Sequence, residues 1–390
     1  MLKIGVLTFS FTIDNYGQVL QYLATQEYLR QKGYKAVLVE PCGWRDTFLR
    51  RLKNKIRSVI QKVKNKLFRE KPVIKETKIS ETDATIIEIE RQKSEIFKKW
   101  AEVTERKEKE HPRRFEQFKR KYFNRQYGTY DDILEAGYKG FCIGSDQTWS
   151  GAGWHMMLGW VPKNIKRFSI APSVGHRVYT DGEIDGFKDE LNKFDFVTVR
   201  EDNGLEMCKR CGYTSAKKIL DPTFLLSSSD YEPFIEELDG NNKPYVFIYL
   251  LGGEIKPTIK ELIDFCHSKG FQVKYVESQG RDEDTGSIPA TVGQWLGLIK
   301  NASYVLTNSY HGMAFSIIFH KPFLVFPLIG IMEGMNGRIY SLANRFSTEN
   351  RIYNNNLDAL LSPIYWDKID EIIKENRESL DKMLATLKLS

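Results

Sequence analysis

Residues 1–40 read MLKIGVLTFSFTIDNYGQVLQYLATQEYLRQKGYKAVLVE, and their alternation of patterns decides the fold. Ile4 to Phe9 is a short continuous apolar run of the kind that makes a strand buried on both faces. Tyr16 to Lys32 follows with Val19, Tyr22, Leu23, Gln26 and Leu29 at three- and four-residue spacing, which predicts a helix. Gly33 ends it, and Ala36 to Glu40 supplies a second strand. This is a strand–helix–strand unit. Its open loop, Ser10 to Asn15, sits at the carboxyl end of the first strand, where ligands bind in open α/β sheets.

Outward from this unit the same rhythm recurs. Apolar runs at Gly140–Ile143, Phe168–Ala171, Phe196–Val199 and Lys218–Leu220 read as further strands of a first domain. A polar, turn-rich stretch between Asp221-Pro222 and Lys243-Pro244 reads as a junction. A second series then begins, with strands at Tyr245–Leu251, Gln272–Val276, Tyr304–Thr307 and Phe323–Phe326. Helices are predicted between them at Lys256–Lys269, Val292–Asn301 and Gly312–Phe319. The expected fold class is therefore α/β, with two Rossmann-like domains facing a cleft, as in the GT-B architecture. The expected bounds are 1–235 for the first domain, 236–366 for the second, and 367–390 for a helix that packs back across both.

The first domain is interrupted by a basic helical insertion, about 45–125. Between Arg45 and Arg125 there are 26 Lys and Arg against 13 Asp and Glu, more than the whole chain's net charge of +7. Phe48, Leu52, Ile56, Val59, Ile60, Val63 and Leu67 form an apolar stripe on its first helix, and a charged helix is expected over Glu81 to Glu110. A basic amphipathic helix lies readily in an anionic membrane surface. Packing of the stripe on the first domain accounts for it equally well. No run reaches the ~20 apolar residues needed to span a bilayer, and the N-terminus reads as a strand, not a signal peptide. Five scattered cysteines agree with a reducing, cytoplasmic setting. Cys208 and Cys211 form a lone C-x-x-C without the further ligands a zinc site needs, so no metal is expected. Nucleic acid is not expected as a partner either, since charge runs are mostly solvated faces.

Four segments sit just after predicted strands, where a site would be built. In the first, Gly17 at a helix start gives a ligand access to backbone N–H groups, Asn15 is either a ligand contact or an N-cap, and Gln21 lies one turn on. In the second, Gly144-Ser145-Asp146-Gln147-Thr148-Trp149, the turn offers Ser145, Asp146 and Gln147 to sugar hydroxyls. Trp149 and Trp154 offer stacking faces, or else are core residues. The third places Arg200 at a strand end, a rigid fork suited to a carboxylate or phosphate, unless Glu201 or Asp202 neutralises it. The fourth, Thr307-Asn308-Ser309-Tyr310-His311-Gly312, sets His311 between a strand and an apolar helix, facing the cleft. His155 and His176 are further acceptor-side candidates.

Taken in order, N-Y-G-x-x-L-Q (15–21), G-S-D-Q-x-W (144–149), V-R-E (199–201), L-D-P-T (220–223), the Ser309 to Gly312 box, Lys321-Pro322-Phe323, and Asn336 with Arg338 resemble the polysaccharide pyruvyl transferases over roughly 320 residues. The resemblance implies a GT-B-like transferase. Such an enzyme takes phosphoenolpyruvate as co-substrate and builds a pyruvate ketal on two hydroxyls of a surface polysaccharide or its lipid-linked precursor. It implies that Arg200 and His311 are catalytic and that Ser309, Gly312 and Arg338 join them around the donor. Asn15, Gly17, Gln21, Ser145, Asp146, Gln147 and Trp149 then fall on the acceptor or cleft side. No other cofactor is implied. A nucleotide-sugar glycosyltransferase and a non-catalytic binder of anionic glycans are the alternative readings.

Overall fold

A computed structural model describes residues 1–42, 81–150, 154–175, 179, 181–238, 243–283 and 285–389. The elements alternate strongly. In the first half β1 (Leu2–Leu7) leads into α1 (Tyr16–Gln31) and β2 (Tyr34–Pro41). After α2 (Glu81–Glu110) and α3 (Phe115–Tyr122) come β3 (Arg125–Gly128), β4 (Gly140–Ile143), β5 (Lys166–Ser169), β6 (Thr198–Val199) and β7 (Lys217–Lys218). The second half carries β8 (Tyr245–Leu250), β9 (Gln272–Glu277), β10 (Tyr304–Thr307) and β11 (Phe323–Val325). Its helices include α4 (Val292–Lys300), α5 (Tyr310–Ile318), α6 (Gly337–Phe346) and α7 (Trp366–Thr386).

The first sheet has the order β3-β2-β1-β4-β5 and the second β11-β10-β8-β9. Every pairing is parallel. A bridge from Phe168 to Phe196 leads from the first sheet toward the β6–β7 pair. Both sheets are thus Rossmann-like. Their strands, the edge strands β3 and β9 apart, are mostly buried on both faces, hence the unbroken apolar runs. Strand ends are level: Leu7 lies opposite Ile143, Ile143 opposite Ser169, and Thr307 opposite both Tyr249 and Val325. The loops that follow therefore emerge in register, and the two sheets point these ends at each other.

α1 sits between the halves, which explains why it is buried nearly all round rather than along one stripe. The Tyr16 ring stacks on Trp295, with centroids 5.2 Å apart, and its hydroxyl donates to the Ala290 carbonyl at 2.7 Å. Tyr16, Phe115, Tyr249 and Trp295 belong to one apolar cluster that runs through both halves. The cleft is closed along this seam.

The charge-rich segment is divided by the structure. The apolar stripe from Phe48 to Leu67 lies outside the described residues. α2 is helical over the span read from sequence, yet it does not belong to the first half alone. Trp100 packs against Gly252 and Gly280, where an added side chain would collide with the indole, and Arg106 pairs with Asp282 at 2.5 Å. Thr104 donates to the Asp14 carboxylate at 3.0 Å, so α2 straps the two halves together. α3 buries Phe115 and Phe118 in the core, so the insertion ends before Arg125. Two phenylalanines three residues apart were masked by the surrounding lysines and arginines. α7 returns to the first half. Asp381 accepts hydrogen bonds from Tyr28 at 2.6 Å and from Lys32 at 2.7 Å, and Arg377 donates to the carbonyls of Phe224 and Leu226.

Candidate active site

Each strand end contributes one short, tightly turned segment. After β10, the Thr307 hydroxyl donates to the Tyr249 carbonyl at 2.7 Å and accepts from the Ser309 amide at 3.0 Å. Ser309 then caps α5, its hydroxyl accepting from the Gly312 amide at 3.3 Å. A Cβ on Gly312 would sit 2.3 Å from the Thr307 hydroxyl oxygen, so only glycine allows this turn. The result holds Tyr310 and His311 in the first turn of the helix, facing the first half.

The opposing surface is built from β4, β6 and the end of β7. Asp221 is fully buried. One carboxylate oxygen accepts from the Thr223 amide at 3.0 Å and hydroxyl at 2.9 Å. The other accepts from Arg200 Nη1 at 2.8 Å and the Ser145 hydroxyl at 3.0 Å, and lies 3.7 Å from His311 Nε2. That last separation is in ion-pair range but too long for a hydrogen bond. Burial alone would push the Asp221 carboxyl up. The His311 and Arg200 contacts, with the Thr223 amide, outweigh it and hold the group well below the usual carboxylate range.

Arg200 is 5% exposed. Its Nε donates to Glu201 at 2.9 Å, and the guanidinium lies over the Tyr310 ring, 4.9 Å from the centroid. Glu201 therefore does neutralise its sequence neighbour, while Asp202 pairs outward with Lys218 at 2.6 Å. Burial works against the Arg200 charge, but Glu201, Tyr310 and Asp221 more than compensate. For Arg338, burial and then the Arg200 charge weigh against its own, and Glu201, Asp146 and Tyr310 offset them only in part. The two arginines border one pocket of about 500 Å³ that opens to solvent, with Tyr310, Arg345 and Asn376 in its wall. On residues of its wall, the donors Arg200 Nη2, Arg338 Nε and Asn376 Nδ2 and the acceptor Glu201 Oε2 are buried without a protein hydrogen-bond partner, and His311 Nε2, near Asp221, is a further such atom outside the wall. Buried polar atoms are ordinarily paired. Three of these orphans are donors, two of them on guanidinium groups, a chemistry that suits acceptor oxygens.

The other residues singled out from sequence are placed as follows. Asn15 caps α1, accepting from the Gln18 amide at 3.1 Å. Gly17 lies against His311: a Cβ there would be 2.0 Å from Nδ1, so the group approaching this backbone is an imidazole from the opposite half. Gln21 is fully buried and ties the β1 loop by donating to Thr8 at 2.8 Å. Trp149 is also fully buried, its indole donating to the Met156 carbonyl at 3.1 Å, so it offers no stacking face. An aromatic so near a glycine turn suits either role, and here the core takes it. Asp146 adopts φ 69°, accepts from Gln18 at 2.9 Å and stays half-exposed beside Gln147. Asn336 is buried and pins Leu328, while His155 is buried and His176 lies outside the described residues. Cys208 and Cys211 are buried thiols, with burial pushing Cys208 up to about 12.

Sequence reading missed the centre of the cluster, Asp221, which stood only as part of a motif and a domain junction. Its signal was an acidic residue directly after a strand and before a proline, the same placement that drew attention to Arg200. Tyr310 and Asn376 gave no signal of their own.

A model of the family described as polysaccharide pyruvyl transferase matches residues 15–328. A search of curated proteins finds no match. Among solved structures, the chain is similar to the UDP-GlcNAc 2-epimerase of Neisseria meningitidis bound to UDP-GlcNAc (10% identity, TM-score 0.41, covering 100% of this chain and 95% of that one). It is also similar to the UDP-N-acetylglucosamine 2-epimerase of Rickettsia bellii (11%, 0.40, 97% and 88%) and to a glycosyltransferase of Streptomyces sp. SF2575 (12%, 0.35, 99% and 96%). At these values the likenesses say nothing about activity.

Proposed function

From the premise that this chain belongs to the polysaccharide pyruvyl transferase family, we propose that it transfers pyruvate from phosphoenolpyruvate to two hydroxyls of a polysaccharide-bound sugar. The observation that carries the reading is the set of buried, unpartnered polar atoms around the Arg200–Arg338 pocket. Phosphoenolpyruvate carries its carboxylate and its phosphate on one carbon, which suits two guanidinium groups that have donors to spare.

Chemically, one sugar hydroxyl adds to the central carbon of phosphoenolpyruvate while its methylene carbon takes a proton and becomes methyl. The second hydroxyl then displaces phosphate, its proton leaving with the phosphate. Positive charge grows at the central carbon while both anionic groups stay held. In this scheme Arg200 and Arg338 bind the anions. Asp221, 3.7 Å from His311 Nε2, orients the imidazole, which exchanges protons with the reactants. Ser309 and Gly312 hold the turn that presents His311.

The same reading extends to location. Among the described residues, no helix is long and apolar enough to cross a membrane. The basic stripe between Phe48 and Leu67 would hold a cytoplasmic enzyme against the anionic inner face of the membrane, beside a lipid-linked acceptor.

Thermal shift tests the donor assignment. Phosphoenolpyruvate should raise the melting temperature, UDP-N-acetylglucosamine should not, and Arg200→Lys should abolish the shift because it keeps charge but loses the fork. A wild-type response in Arg200→Lys would overturn the assignment, and a shift from the nucleotide sugar alone would overturn the donor.

A further inference from the structure

Beside Asp14, just before α1, two adjoining cavities share Lys107 and Arg113. The inner one, with room for about one water molecule, is bordered by Asp14 and by the loop after β9, Ser278 to Arg281. The outer one, about 850 Å³, opens to solvent between Glu110, Glu277, Glu283 and Pro289. Their common wall is α2. Arg113 is only 6% exposed, and its Nη1 is buried with no protein partner. Burial weighs against its charge while Tyr16, Asp14, Tyr249 and Glu108 favour it, and its amide donates to Glu108 at 3.1 Å. Lys107 is committed to Glu277 and to Asp282, and Arg281 to Glu283.

We infer that this groove is a binding site for a neutral, hydroxyl-bearing sugar: the acceptor side of the function proposed above, on which the inference rests for its chemistry. Carboxylates already paired with cations still have lone pairs for sugar hydroxyls, and the Arg113 N–H needs an acceptor oxygen. An anionic ligand would meet Glu110, Glu277, Asp282 and Glu283 together. Burial pushes the Glu277 carboxyl above its ordinary value despite Lys107. The groove also joins the donor side through one short segment. Asp14 borders it, and three residues on, Gly17 touches His311.

Saturation-transfer NMR on the intact protein, with methyl β-galactoside as the neutral probe and methyl β-glucuronide as the anionic one, tests this. The neutral glycoside should bind the wild type more tightly than the anionic one. Arg113→Gln should weaken it tenfold or more, and so should Pro289→Trp, which fills the mouth at an exposed position and decides the matter if the buried arginine proves necessary for folding. Both variants should keep the phosphoenolpyruvate thermal shift. Wild-type glycoside binding in Pro289→Trp, stronger binding of the glucuronide, or no binding of either glycoside would overturn the inference. A wild type that binds glycoside but not phosphoenolpyruvate would overturn the donor reading and leave this site standing.

Discussion

Asp221 gathers Arg200, Ser145 and His311 on one carboxylate oxygen, and its replacement separates two kinds of loss. Asp221→Asn leaves a buried guanidinium short of one counter-charge, and breaking a buried ion pair costs about 3–5 kcal/mol; urea unfolding at pH 7 should read a loss on that order. The folded-state pKa of Asp221 is depressed, so its stabilisation is complete above the unfolded carboxyl value of about 3.9 and is lost as pH falls below it. The wild type should therefore lose more stability than Asp221→Asn between pH 5 and pH 3; parallel curves would show that the carboxylate carries no such burden. His311→Gln belongs to the same scale but to a different readout. If His311 moves a proton, turnover should fall roughly 10²–10⁴-fold while the phosphoenolpyruvate shift persists. Equal loss of both would make it an anion ligand.

At the scale of elements, the first turn of α1 and the first turn of α5 touch through Gly17 and His311. Gly17→Ala puts a methyl carbon 2.0 Å from Nδ1, against the imidazole rather than a flexible chain end. Activity should drop with the imidazole's displacement, while the helical circular dichroism stays unchanged; full turnover in this variant would mean that the two helices need not meet. These elements were legible in sequence because both helices follow buried strands and open on a glycine or a cap. The span of α2 was legible too, from its charge pattern. What it packs on was not, because Trp100 and Thr104 reveal nothing until Gly252, Gly280 and Asp14 are brought beside them. Trp149 failed for the converse reason: the residues that bury it come from distant strands and loops.

For the molecule as a whole, the doubly wound α/β class was written in the alternation of apolar runs, and the residues that meet at the pocket were mostly visible as strand-end segments. Their pairing was not, since Asp221 and His311 lie in opposite halves. The basic stripe between Phe48 and Leu67 sets a prediction at this scale. Co-sedimentation should show binding to anionic vesicles, absent on neutral ones, weakened by salt and by Lys→Glu changes at Lys55, Lys62 and Lys66. Equal sedimentation with both vesicle types, or with neither, would leave the stripe as a packing surface.

The return of α7 gives the pocket a history. Asn376, on α7, accepts from the Leu220 amide at 2.8 Å and borders the same space as Arg200. A ribosome delivers residues from the amino end, so β1 to β7 leave the exit tunnel long before α7 exists to cover them. Until then the Leu220 amide lacks its acceptor and the flank of α1 carrying Tyr28 lies bare. The wall of the proposed donor pocket is thus completed only when α7 docks, and a chain stalled in the second half lacks it.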